Sequence, residues 1–140
     1  MDYSLRHIKK LLKIIKAKKM SVPKDFFCKT PQWIRRHYNG IGAEWMPSIC
    51  RKFITKALGE LEPVALVHDI DFLTSQKSYW RFTTANLRFW LNASKVNRFF
   101  LGGACAVLCQ FFGWSAFRDG KESMAYFYYY TETGEHNGIH

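Results

Sequence analysis

At 140 residues, with 48% hydrophobic and 17% aromatic side chains, the chain is sized for one domain with a real core and is too apolar for a disordered segment. Twenty-one Lys and Arg against eleven Asp and Glu give a formal charge of +10, which favours anionic partners such as phospholipid headgroups or nucleic acid. Cys28, Cys50, Cys105 and Cys109 form no C-x-x-C element and no paired spacing with the histidines, which argues against structural zinc and leaves a Cys28–Cys50 disulfide open.

Leu5, Ile8, Leu12 and Ile15 recur at helical spacing, joined by Leu11 and Ile14, while Lys9, Lys10, Lys13, Lys16, Lys18 and Lys19 supply the charge. Residues 1–20 therefore read as a basic amphipathic helix with two open fates. Its apolar stripe either packs on the domain's own core or lies on an anionic membrane with the lysines at the headgroups. The basic start has no continuous apolar core with a small-residue cleavage site, so no signal peptide is expected; the expected place is the cytoplasm, with peripheral membrane association.

Ser21-Val22-Pro23 predicts a break, and residues 21–37 read as a linker anchored by Phe26 and Phe27. Asn39-Gly40-Ile41-Gly42 predicts a turn in unusual dihedrals, which lets backbone carbonyls point into one space. A helix is expected from about Ser48, carrying Ile49, Phe53, Ile54 and Ala57 and closing near Gly59. Pro63 suits a first helical turn, so the next helix should run through His68 and Asp69 to about Leu73. After a polar break at 74–78, another helix is predicted from Tyr79 to Leu91 with Phe82, Asn86, Phe89 and Trp90 on or near one face.

Residues 99–117 carry no charge and are nominally long enough to cross a bilayer. Glycines, Gln110 and Ser115 lower the hydropathy, so the run reads first as a buried core helix and second as a span. Met124 to Tyr130 is aromatic and extended, an edge strand or hairpin arm, and residues 132–140 read as a mobile tail. Asn92-Ala93-Ser94 matches a glycosylation acceptor, a match common by chance.

The stretch Val64 to Phe72 carries His68, Asp69 and Asp71 inside an apolar segment, where partial burial would shift their pKa values toward catalytic ranges. The plain alternative is a hydrogen-bonded structural pair. The glycine-bearing loop, the helix with His-Asp, the polar break and the second helix together resemble the phospholipase A2-like superfamily, especially its compact bacterial and phage domains, over Tyr38 to Phe117. The secreted pattern C-C-x-x-H-D-x-C-Y reads here as Val64-Ala65-Leu66-Val67-His68-Asp69-Ile70-Asp71-Phe72. His and Asp match, Phe72 stands for Tyr, and the three cysteines are absent. Ile41 before Gly42 occupies the place of the family's loop cysteine and Ala65 that of its bridging partner, a paired loss coherent with a reduced domain. The run Leu101-Gly102-Gly103 through Phe117 is also similar to the closing helix of phage-type members.

The resemblance implies a mainly α fold: a pair of antiparallel helices plus a buried apolar C-terminal helix, with a short β hairpin or extended tail, in a domain over 38–131. It implies a calcium-dependent ester hydrolase acting on phospholipid at anionic membrane surfaces. His68 would be the general base, and Asp69 would hold calcium with backbone carbonyls of Gly40, Gly42 and Glu44. Where the family places an Asp to orient the histidine, this chain offers Asn86, which can accept a hydrogen bond but adds no charge. Asp71, three residues from His68, is either a substitute orienter or extra metal ligand, or a solvent-facing or helix-stabilising acid. The alternatives are an inert phospholipase-like binding or structural protein of a phage or mobile element, and a small membrane-spanning protein. Nucleic acid ranks last, because no reading module is visible, and no obligate protein partner is implied.

Overall fold

The computed structural model describes residues 3–38, 58–114, 117 and 118. Five helices account for most of them: α1 (Leu5–Ala17), α2 (Pro31–His37), α3 (Glu62–Thr74), α4 (Tyr79–Ser94) and α5 (Phe99–Phe112), with short 3-10 turns at Phe26–Cys28 and Gly59–Leu61. The protein is mainly helical, and among the described residues there is no strand. The predicted turn at Asn39 to Gly42, the helix near 48–59 up to residue 57, Cys50 and the aromatic segment 124–130 lie outside the described residues.

Short polar side chains start three of the helices. Ser4 accepts from the His7 amide, Thr30 from the Trp33 amide with Pro31 in the first turn, and Ser78 from the Arg81 amide. Each satisfies one backbone N–H that a helix start leaves without an intrahelical acceptor. Pro63 sits in the first turn of α3, as its fixed φ and missing N–H predict.

The helix at the centre is α3: Leu61 to His68, Ile70 and Asp71 are all buried, and α1, α2 and α4 pack on it. Its apolar residues go almost all the way round, the pattern of a helix covered on every side. The stripe of α1 is consumed by this core, because Ile8, Leu11 and Ile15 are at most 3% exposed. The expected linker is also part of the core: Phe26, Ile34 and Tyr38 are buried, and 31–37 is helical. A two-point clamp fixes the chain after α1, with the Ser21 amide donating to Asn92 Oδ1 at 2.8 Å and Asn92 Nδ2 donating to the Ser21 carbonyl at 2.7 Å. Asn92 is fully buried and uses both ends of its amide, so the glycosylation-like triplet at 92–94 is not an acceptor in the folded chain.

The expected buried C-terminal helix is a correction. Only Gly102 and Ala106 of α5 are buried, while Phe100, Phe111 and Phe112 are 89%, 77% and 79% exposed. The reason is placement: α3 occupies the centre, and α5 is a second layer touching mainly α4. At 14 residues it is about 21 Å long, and no helix among the described residues is long and apolar enough to cross a membrane.

α5 approaches α4 through small residues. A Cβ at Gly102 would fall inside the Ala93 methyl, and one at Gly103 would meet Trp90 Nε1 at 3.0 Å. Gly102→Ala is expected to cost about 1–3 kcal/mol by forcing the helices apart. In urea denaturation, adding Ala93→Gly should recover part of that loss; no recovery would show that the close approach is not the cause.

Candidate functional site

Where α3 and α4 run antiparallel, Phe72 faces Phe82 with ring centroids 5.6 Å apart, and one turn further along His68 faces Asn86. His68 Nε2 lies 2.9 Å from Asn86 Oδ1, and both side chains are buried. Asn86 Nδ2 donates in turn to Gln110 Oε1 at 2.7 Å, and Gln110 Nε2 donates to Tyr79 Oη at 3.1 Å and Thr83 Oγ1 at 3.2 Å. Because the Asn86 amide points its nitrogen at Gln110, its oxygen faces His68, and the imidazole must donate from Nε2–H. That leaves Nδ1 as the ring atom with a lone pair.

Apolar rings hold the imidazole in place. Phe72 lies at 4.1 Å and Phe89 at 5.2 Å between centroids, and Phe72 in turn contacts Phe82 and Phe117. Burial lowers the His68 pKa below the usual histidine range, opposed by the Asn86 bond and the charge of Asp71. The ring is therefore neutral near pH 7, the state a general base requires.

This depression has a stability consequence. The unfolded chain takes up a proton at His68 near the ordinary value of about 6.5, whereas the folded chain resists it, so stability is full above that value and falls as pH drops below it. Each pH unit within the window costs at most about 1.4 kcal/mol. Melting temperatures in chelator at about pH 7.5 and pH 5.5 should differ more for the native chain than for His68→Gln. An unchanged difference would mean that other groups carry the acid sensitivity.

Asp71 is not at the imidazole. Its Oδ1 accepts from Ser75 Oγ at 2.8 Å and its Oδ2 pairs with Arg88, with Asp71 itself 2% exposed. His68 senses it through charge alone. A solvent-facing Asp71 is equally displaced, because the side chain is buried. Asp69, the next residue after His68, is half-buried, and its charge helps raise the pKa values of both Tyr38 and Cys109. Burial is the larger cause in each case, carrying the Cys109 thiol up to about 11 and leaving it protonated. Tyr38 is the last described residue before the loop that bears Gly40, Gly42 and Glu44, and those three lie outside the described residues.

Among the described residues no group of three or more His, Cys, Asp or Glu side chains is placed to hold a metal ion. Two carboxylates, Asp69 and Glu62, act on Tyr38, the last residue described before 39–57. The six lysines of the first helix and its end, Lys9, Lys10, Lys13, Lys16, Lys18 and Lys19, are all exposed, while Ile8, Leu11 and Ile15 of the same helix are buried in the core. A groove of about 380 Å³ between α1 and the start of α3, with His7, Lys10, Glu60 and Glu62 on its walls, shares no residue with the His68 network. On that wall His7 Nε2 meets Glu62 Oε1 at 2.8 Å.

The sequence reading missed the partners of Asn86 and of Asp71. Gln110 is the lone amide in an otherwise apolar helix, a visible signal whose partner was not. Arg88 had no signal, since it meets Asp71 from 17 residues away on another helix. Searches of protein-family models, curated proteins and solved structures find no match to this chain.

Proposed function

We propose that the chain is a phospholipase A2-like hydrolase of phospholipid esters, with His68 as general base. The observation that carries this reading is the buried 2.9 Å bond from His68 Nε2 to Asn86 Oδ1, which fixes the tautomer of a neutral imidazole. On this reading Nδ1 accepts a proton from a water attacking the ester carbonyl, Nε2–H stays on Asn86, and the phenylalanine rings keep the ring from turning. The phospholipase-like arrangement would place α3 and α4 as its antiparallel pair. Asp69 with carbonyls of Gly40 and Gly42, and Glu44, would hold calcium. A calcium ion there supplies positive charge for the carbonyl oxygen.

Purified protein incubated with phosphatidylglycerol vesicles should release fatty acid in calcium and not in chelator. His68→Ala should abolish release, and a calcium-dependent rise in melting temperature should vanish in Asp69→Asn. Lack of release under every condition, or release unchanged in His68→Ala, would sink the proposal.

A second reading is favoured by the way Asn86 joins His68 to Gln110. One buried amide ties α3, α4 and α5 together, as a purely structural ladder would. In that case the chain is an inert phospholipase-like binding or structural protein, and the same assay gives no release while His68→Ala destabilises the fold.

A further inference from the structure

Phe100, Val107, Leu108 and Phe111 are 89%, 53%, 57% and 77% exposed, and with Ala104 they recur at i, i+4, i+7, i+8 and i+11. They form one stripe of α5, on the side away from Gly102 and Ala106, which are buried where α5 packs. On α4, Trp80, Leu87 and Leu91 are 79%, 50% and 52% exposed and form another stripe, opposite the buried Phe82 and Phe89. Exposed rings join the two helices at both ends, Trp90 to Phe99 at 5.2 Å and Tyr79 to Trp114 at 5.9 Å. An apolar surface of this kind marks an interaction site.

Charge identifies the occupant. From Phe72 to Arg118 there is no Asp or Glu, while Lys77, Arg81, Arg88, Lys95, Arg98 and Arg118 are all cationic. Arg88 and Arg98 are paired with Asp71 and Glu60, acids from outside that segment. Arg81 is exposed alongside the Trp80–Leu91 stripe, while Lys95, seven residues beyond Arg88, donates its ammonium to the Lys19 carbonyl. A second copy of the chain laid face to face would bring together two segments that each carry cations and no acid of their own. An anionic bilayer supplies the offset, and its interface accommodates tryptophan and tyrosine.

We propose that α5 and the outer stripe of α4 form the surface by which the protein docks on an anionic phospholipid bilayer. α5 lies in the plane of the interface, with Phe100 and Phe111 in the acyl boundary and Arg81 at the headgroups. α1 contributes mainly the attraction of its exposed lysines, since Ile8, Leu11 and Ile15 are in the core. The purpose of docking rests on the phospholipid reading of the His68 site, and two separate measurements tell the two apart.

The full chain, in chelator, is sedimented with phosphatidylglycerol-containing vesicles and with pure phosphatidylcholine vesicles. It should bind the former, and Phe100→Glu with Phe111→Glu should weaken binding by at least about tenfold. Lys9→Glu with Lys13→Glu should weaken it less. Both double variants alter exposed positions, so their melting temperatures should match the native chain. Failure of the native chain to bind, full binding by Phe100→Glu with Phe111→Glu, or a dimer dispersed by that variant would each overturn the proposal. Hydrolysis of a short-chain phospholipid below its micelle concentration reads the His68 site without a surface. A native chain that binds vesicles but cleaves nothing keeps the docking surface and ends the hydrolase reading.

Discussion

Asn86→Asp is expected to raise fatty-acid release roughly 10²–10⁴-fold, the reverse of the loss seen when a histidine-orienting Asp becomes Asn in a serine protease. The new carboxylate keeps the bond from His68 Nε2–H and adds the negative charge that stabilises the imidazolium formed when Nδ1 takes a proton. The surroundings can absorb the change. Gln110 now accepts from Asn86 Nδ2, and by turning its amide it can donate Nε2 to the carboxylate while Oε1 accepts from the Tyr79 and Thr83 hydroxyls. The His68 pKa should rise from its depressed position, so the acid limb of the rate profile should move to higher pH. Release against pH for the two proteins, with an imidazole titration by NMR, measures both effects. A raised pKa with no release from either protein would establish the inert reading, because orientation and charge would then be present without chemistry.

Asp71→Ala is expected to destabilise the fold by about 3–5 kcal/mol, since it leaves a largely buried guanidinium without its partner. Arg88 has 20% of its side chain exposed and Asp71 only 3%, so water offsets little of the loss. Ser75 Oγ loses its acceptor as well. Replacing both partners, Asp71→Leu with Arg88→Met, should restore most of the stability, because apolar residues of similar volume carry no desolvation cost. Urea denaturation of the single and double variants tests this. A single-variant loss below about 1 kcal/mol would place the pair with weak surface bridges.

The helices were legible because their signals are local. Pro63 and the polar break at 74–78 bracket α3, and the apolar spacing of Leu5, Ile8, Leu12 and Ile15 marks α1. Helix 31–37 was missed because the break at Ser21-Val22-Pro23 was read as opening a linker through residue 37, although Pro31 after the Thr30 cap begins a helix. The rank of the two most apolar helices was not legible. Both α3 and α5 look fit for a core, and composition says nothing about which one is covered by neighbours on several sides.

By itself the sequence determined a mainly helical chain with a cationic surface, and it placed His68 and Asn86 on successive helices. Those properties follow from spacing, capping and charge, which act within a few residues. Only the tertiary structure decided which side chains meet: Asn86 with His68 and Gln110, Asp71 with Arg88, and the α1 stripe with the core. Such partners lie on different helices, and their meeting is set by how the helices pack. The apolar surface on α4 and α5 has the same origin, since α3 took the centre and Gly102 let α5 lie against α4 with its phenylalanines facing outward.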